Sequence, residues 1–135
     1  MTQQVNAVVR GIEMKNRTRQ YALRVIKLFK ALPKTEEARV IGRQLLRAGT
    51  SVGANYRAVC RARSKAEFIA KIGIVVEETD ESIFWLELLI DGDIVIKERL
   101  ADLLCETNEL LAIFAASHHT ARANRRQSPN ESMPR

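Results

Sequence analysis

The sequence is poor in residues that interrupt regular structure, with six glycines and three prolines among 135 residues. Residues 35–125 contain no proline, whereas a chain of many short strands usually has proline in the turns between them. The two cysteines, Cys60 and Cys105, lie in helix-like segments, and the chain begins without an apolar signal segment. We therefore expect a helical, cytoplasmic protein whose two thiols are reduced and buried.

Long apolar runs and aromatic side chains are also scarce. Residues 69–90 are the strongest candidate for a membrane span, but charged side chains interrupt them, whereas a bilayer requires roughly 20 mainly apolar residues in succession. We expect no membrane segment, and the 46% hydrophobic content suffices for one core. Because aromatic residues make up only 5% of the chain, few rings are available to stack on nucleobases.

The residue patterns of common enzyme sites are absent from the sequence. The two histidines, His118 and His119, are adjacent, whereas a di-metal bundle needs Glu-x-x-His on two helices. Neither a Gly-rich phosphate loop nor a nucleophile motif accompanies the acidic side chains at 77, 78, 80 and 81. We interpret that acidic cluster as a solvated face or as salt-bridge partners for arginines of the preceding helix. The sequence predicts no catalytic residue, metal ligand or cofactor, and no enzymatic activity.

Apolar residues recur with helical spacing in four segments. Pro33 ends the first segment, and Thr35 with two following glutamates is typical of a helix start. Ser64 and Glu67 form a capping box before the third segment, and Gly92 lies in the turn before the fourth. The pattern predicts an all-α, antiparallel up-down-up-down four-helix bundle. The predicted core stripes are Ala22, Val25, Ile26, Phe29 and Leu32; Ala38, Ile41, Leu45, Ala48, Val52 and Val59; Phe68, Ile72, Val75, Val76, Thr79, Ile83, Leu86 and Ile90; and Val95, Leu100, Leu103, Leu104, Thr107, Leu111 and Phe114.

The second helix contains a stretch, residues 49–55, that is poor in helix-forming residues. This stretch predicts a possible kink or break in the helix. Gly49 and Gly53 also form a small-residue surface that another backbone can approach closely, an interpretation we favour over a ligand role. Arg47, Ser51 and Asn55 lie on one face of the predicted helix. They could form a buried hydrogen-bonded network that fixes the register between helices or subunits, or a polar contact with a ligand.

Composition divides the chain into three parts. We assign residues 1–14 to an N-terminal arm, residues 15–120 to the bundle and residues 121–135 to a basic tail. The tail is polar and contains proline, so burial cannot offset the entropy of ordering it, and we expect disorder there.

Charge is distributed unevenly along the chain. Residues 1–63 carry 14 basic and 3 acidic side chains, whereas residues 64–117 carry 4 basic and 12 acidic ones. The two halves either complement each other within or between subunits, or the basic half forms a surface for phosphates. Arginine outnumbers lysine, and its planar guanidinium suits phosphate oxygens.

One stretch of the second helix resembles the signature of the bacterial four helix bundle protein family, also called the 23S rRNA intervening sequence protein family. The resemblance extends through Leu32-Pro33-Lys34 and Glu36-Glu37 on one side, and Glu87-Leu88-Leu89 on the other, over roughly residues 15–117. Its core is Gln44-Leu45-Leu46-Arg47-Ala48-Gly49-Thr50-Ser51-Val52-Gly53-Ala54-Asn55, followed by Arg61, Ser64, Lys65, Glu67, Phe68 and Lys71.

The resemblance implies an antiparallel four-helix bundle that assembles into a ring-like homopentamer. Related pentameric bundles serve as accessory subunits of retroelement reverse transcriptases, where a basic surface engages nucleic acid and the polymerase. After Asn55 the family continues with a small apolar residue, an acid and a glycine, whereas this chain has Tyr56, Arg57 and Ala58. The resemblance transfers no catalytic residue.

Two hypotheses about function follow. In the first, the oligomer binds structured RNA or DNA, chiefly through phosphate and shape. In the second, the charges serve self-assembly and the bundle is a scaffold or accessory subunit for a protein partner such as a reverse transcriptase. The residues predicted to contact nucleic acid are Lys15, Arg17, Arg19, Arg24, Lys27, Arg43, Arg47, Arg57, Arg61, Arg63, Arg122, Arg125 and Arg126.

Overall fold

The computed structural model describes residues 2–127, which form four α-helices and no strand. The two predicted N-caps are confirmed: the Thr35 hydroxyl accepts the Ala38 N–H at 3.3 Å, and the Ser64 hydroxyl accepts the Glu67 N–H at 3.1 Å. The all-α prediction is therefore confirmed, and the arrangement is consistent with a four-helix bundle. The helices are α1 (Gln3–Ala31), α2 (Glu36–Val59), α3 (Lys65–Asp91) and α4 (Lys97–Gln127).

The outer helices are longer than the sequence pattern predicts. Thr2 caps α1, so most of the predicted N-terminal arm is the first part of that helix. The predicted disorder from residue 121 is wrong for residues 121–127, which continue α4; residues 128–135 of the predicted tail lie outside the described residues. Helix α2 is continuous through residues 49–55, so the suggested break there is also wrong.

The core combines the predicted apolar stripes with a few residues that the pattern did not identify. Val25, Leu45, Ile72, Leu86 and Phe114 are fully buried, as predicted. Leu89, placed at the edge of its stripe, is also fully buried, and the buried residues Tyr21, Leu110, Thr18 and Ser82 were not predicted.

A seam of small residues joins α1 to α2 and consists of Gly42, Gly49 and Gly53. A Cβ at Gly49 would lie 2.9 Å from a methyl of Val25, and one at Gly42 would lie 2.6 Å from a methyl of Leu32. Val25 is β-branched and buried, so the helices approach this closely at Gly49 only because it has no side chain, whereas the Leu32 methyl near Gly42 is the end of a flexible side chain. The small-residue interpretation of Gly49 and Gly53 is thus confirmed.

Helix α4 is tied to α1 by a buried hydrogen bond. The Tyr21 and Thr107 hydroxyl oxygens are 2.7 Å apart, and the Thr107 hydroxyl donates to the Leu103 carbonyl. Since threonine has one hydroxyl hydrogen, Tyr21 must be the donor to Thr107. None of the helices within residues 2–127 combines the length and apolar character needed to cross a membrane.

Candidate nucleic-acid interface

Most of the predicted basic residues are exposed on the outer surfaces of α1 and α2. Lys15, Arg19, Arg24 and Lys27 on α1 are exposed, as are Arg43, Arg57 and Arg61 on α2 and its following turn, and Arg63 in the connection to α3. With 3.6 residues per turn, positions 43 and 57 fall about 40° apart around the axis of α2, and Arg61 follows in the turn after that helix. Positions 15 and 19 are likewise about 40° apart on α1, whereas Arg24 lies about 180° around that helix from Lys15. We call the exposed residues Lys15, Arg19, Arg43 and Arg57 the basic strip.

Arg17 does not belong to this strip, because it binds acidic residues of α4. Its guanidinium donates to both Glu106 carboxylate oxygens at 2.7 and 2.8 Å, and to Glu109 at 3.2 Å. The hydrogen bond to Glu106 raises the pKa of Arg17 above its ordinary value, and the same bond lowers the pKa of the Glu106 carboxyl. Arg17 joins α1 to α4, and its charge is compensated within the protein.

Arg47 is compensated in the same way by the acidic cluster of α3. Its guanidinium lies 3.2 Å from a Glu78 carboxylate oxygen and also binds Glu81. The predicted pairing of this cluster with arginines of α2 is thus confirmed for these two glutamates. The side chains of Ser51 and Asn55 each donate a hydrogen bond to the backbone carbonyl one turn earlier in α2. These two hydrogen bonds lie within one helix and do not connect α2 to another helix.

The connection between α2 and α3 carries a second, mixed cluster of charges. Glu67 lies between Arg63, 4.0 Å away, and Lys71, 3.8 Å away. Because the Arg63 side chain is 86% exposed, its ion pair with Glu67 neutralises the arginine charge only weakly. Together with Arg61, these residues line a shallow surface depression of about 360 Å³.

Three basic side chains converge on a groove between α1 and α2, which we call the basic groove. Lys15, Arg19 and Arg57 line it, and its volume is about 340 Å³. Gly53 and Ala54 of α2 also line the groove, and their small side chains leave it open on the α2 side. Within residues 2–127, no carboxylate lies within 4.0 Å of any of the three cations.

The basic groove adjoins an apolar groove of about 420 Å³, and Lys15 lines both. Val8, Ile12, Tyr56 and Phe68 are among the walls of this apolar groove. Desolvation, with a smaller effect of the neighbouring Cys60 thiol, raises the pKa of Tyr56 to about 12, so its hydroxyl stays protonated at neutral pH. Tyr56 also packs against Phe114, with the ring centroids 5.5 Å apart.

Sequence reasoning missed this apolar groove for an identifiable reason. Tyr56 and Phe68 belong to different helices, and Val8 and Ile12 fall in the segment assigned to an arm. The departure from the family pattern at Tyr56-Arg57 was the only signal, since it places a ring beside an exposed cation.

The prediction that the two cysteines are buried is wrong. Cys60 and Cys105 are both free and exposed. Cys60 lines the apolar groove, and the Cys105 thiol lies 3.6 Å from a Glu109 carboxylate oxygen, which raises the pKa of that thiol.

The predicted basic residues near the end of the chain are placed on α4. Arg122 and Arg126 are exposed, and Arg125 is partly buried. Asn124 of the same turn lines a further depression with Lys65, Phe68 and Ala116. The end of α4 therefore lies beside the start of α3, and Phe68 lines both this depression and the apolar groove.

Comparison with known proteins identifies the family. The model of the 23S rRNA-intervening sequence protein family matches residues 10–116. The chain belongs to this family. A crystal structure from Bacteroides thetaiotaomicron VPI-5482 is similar: it shows a protein of unknown function from the S23 ribosomal protein family, 31% identical, with a TM-score of 0.74. The similarity covers 81% of this chain and 97% of that one. A search of curated proteins found no match.

The family match includes the basic groove but not the last turns of α4. Lys15, Arg19 and Arg57 all fall inside residues 10–116, whereas Arg122, Arg125 and Arg126 lie beyond them. The 23S rRNA-intervening sequence domain thus contains the complete groove by itself.

Proposed function

We propose that this protein is a non-enzymatic nucleic-acid-binding bundle that contacts phosphates through the exposed basic strip of α1 and α2. The basic groove carries the proposal. Lys15, Arg19 and Arg57 converge there without a carboxylate partner in the described part of the chain, whereas Arg17 and Arg47 are each held by two acidic residues. A group of uncompensated cations is the electrostatic footprint of a phosphate-binding surface.

Within this proposal the helices run antiparallel, up-down-up-down. The contacts that support this run in opposite order: Thr18 of α1 lies against Gly53 of α2, Val25 against Gly49, and Leu32 against Gly42. The connections between successive helices span residues 32–35, 60–64 and 92–96, and such short connections favour antiparallel neighbours.

We further propose that the bundle works as a ring-like homopentamer in the cytoplasm, as the family resemblance implies. A ring repeats the basic groove on every subunit, so one long nucleic acid can be held by several weak contacts at once. The two exposed, unpaired thiols are consistent with a reducing compartment.

The test is a binding titration of nucleic-acid-free protein against a labelled RNA hairpin and a DNA duplex at several salt concentrations. We expect affinity to fall steeply with salt, because binding releases counterions from the neutralised phosphates. Arg19→Glu should weaken binding and flatten the salt dependence. Arg99→Glu, the same charge change at an exposed position of α4, is the matched control and should have a smaller effect. Absence of binding to both polymers at low salt would contradict the proposal.

A protein scaffold is the second candidate, and one observation favours it. Val5, Val8, Val9 and Ile12 on the first turns of α1 are 42–60% exposed, which is more apolar surface than a helix usually leaves to solvent. If the basic strip serves assembly, charge reversal at Arg19 should change the oligomer mass measured by light scattering and leave nucleic-acid affinity unaffected.

A further inference from the structure

We propose that the basic groove and the apolar groove together form the seat of one unpaired nucleotide, with its phosphate in the first and its base in the second. This inference rests on the proposed function and specifies it: the recognised element is an unpaired position of an RNA or DNA strand, such as a bulge or loop, and not a continuous duplex. The two grooves adjoin at Lys15, which lines both.

The basic groove provides the phosphate half of the seat. Two of its cations are arginines, whose forked donors match phosphate oxygens, and Lys15 adds a third positive charge. The Asn16 side chain also lines the groove, and its amide can donate a further hydrogen bond. Gly53 and Ala54 leave room for a sugar-phosphate backbone to approach α2 closely.

The apolar groove provides the base half. Its volume of about 420 Å³ falls within the range of about 300–1,000 Å³ that is typical of small-molecule sites. Aromatic and aliphatic walls from Tyr56, Phe68 and Ile12 suit the faces of a planar base, and every nucleobase has such faces.

The position of this groove determines which nucleic acids fit. A base inside a duplex is paired and stacked, so it cannot enter a groove in a protein surface unless it leaves the helix. The nearby cations explain why a nucleotide is a better occupant of this apolar surface than an uncharged peptide: its own charge is met at the groove's edge by Lys15.

Gly11 offers a way to close the base half without altering charge. A Cβ at Gly11 would meet only the Cys60 sulfur, at 3.9 Å, which is an ordinary contact. Gly11→Leu should therefore fold, since leucine is also the better helix former, and its side chain should occupy the apolar groove. Ile12→Gln is a second variant; it keeps the groove open but removes apolar wall at a half-exposed position.

The experiment compares binding to an RNA hairpin stem with one bulged nucleotide and to the same hairpin without it, at fixed salt, with the DNA counterparts as a second pair. We expect the bulge to raise affinity about tenfold, as one stacked base can. Gly11→Leu should abolish this preference while residual affinity for the perfect stem persists, and Ile12→Gln should reduce it. Arg57→Glu should weaken binding to both hairpins more than Arg39→Glu, its matched control on the same helix.

Several results would overturn the inference while leaving the proposed function intact. They are equal affinity for bulged and perfect stems, a bulge preference that both Gly11→Leu and Ile12→Gln retain, and equal weakening by Arg57→Glu and Arg39→Glu. Failure of the wild-type protein to bind any of the four probes at low salt would instead contradict the proposed function itself. Circular dichroism and light scattering on each variant establish that fold and oligomer mass are unchanged.

Discussion

Replacing Gly49 with alanine tests whether the seam between α1 and α2 depends on the absence of a side chain. In an exposed helix interior this substitution stabilises a protein by up to about 1 kcal/mol, because alanine is the better helix former. At Gly49 the added Cβ would lie 2.9 and 3.1 Å from the two γ-methyls of Val25. Rotating Val25 about χ1 gives little relief, since both methyls are close and a β-branched residue in a helix has one preferred rotamer.

The magnitude follows from these two opposing effects. Val25 is completely buried, so the overlap must be absorbed by shifting the helices, and overpacking of this kind costs about 1–3 kcal/mol. After subtracting a gain in helix propensity of about 1 kcal/mol, we expect Gly49→Ala to lower the free energy of unfolding by up to about 2 kcal/mol. With a urea m-value of about 2 kcal/mol/M, the midpoint should fall by up to about 1 M.

The assay is urea unfolding followed by circular dichroism, at one protein concentration because oligomers unfold in a concentration-dependent way. Gly11→Ala is the matched control: its Cβ meets one sulfur at 3.9 Å, so it should stabilise by up to about 1 kcal/mol. In the double variant Val25→Ala/Gly49→Ala the two losses should be less than additive, since the smaller side chain makes room for the new methyl. If Gly49→Ala stabilises the protein as much as Gly11→Ala, the close-contact argument is refuted.

Three further predictions concern polar contacts. Tyr21→Phe should cost about 1 kcal/mol in urea unfolding, because it removes a buried hydrogen bond but leaves Thr107 bonded to a backbone carbonyl; no loss would contradict the bond. The free energy of unfolding should fall as pH rises above about 10, because tyrosine ionises there in the unfolded chain while Tyr56 in the folded protein has a pKa of about 12. Tyr56→Phe should make the free energy of unfolding less dependent on pH in this range. Arg17→Gln should lower the free energy of unfolding at neutral pH by about 1 kcal/mol, because it removes the ion pair with Glu106. The lowered pKa of Glu106 stabilises the folded protein above pH about 4.5, and this stabilisation is lost as acid protonates the carboxyl. The variant lacks this contribution, so its stability should depend less on pH in the acid range.

Local signals in the sequence were sufficient to predict the helices. Thr35 and Ser64 cap where predicted because N-capping depends on residues three positions apart. The helix boundaries at the two ends of the chain were not predictable in this way. Residues 121–127 contain few apolar side chains, so the spacing of apolar residues gives no helical signal there. The continuation of α4 instead follows from good helix formers such as Arg122, Ala123 and Arg125.

The candidate site was only half predictable. The exposed cations were evident from composition, but which of them are compensated depends on contacts between distant helices, such as that of Arg17 with Glu106, 89 residues away. The apolar groove escaped prediction for the same reason, since its walls come from the start of α1, the end of α2 and the start of α3. Burial of Tyr21 was also hidden, because its hydroxyl requires a partner that the helical pattern of α1 alone does not show.

The glycine seam has a consequence for how this family diverges. Because the space beside Gly49 is filled by the buried Val25, a larger residue at position 49 strains this contact unless position 25 becomes smaller. The atom nearest to Gly42 is a terminal methyl of Leu32, which can move, so that pair is less tightly coupled. Relatives that carry a larger residue at position 49 should therefore carry a smaller one at position 25. Across an alignment of homologues, positions 25 and 49 should co-vary more strongly than positions 32 and 42. A chimera that exchanges α1 between two relatives that differ at position 25 should fold only when position 49 of α2 is exchanged with it.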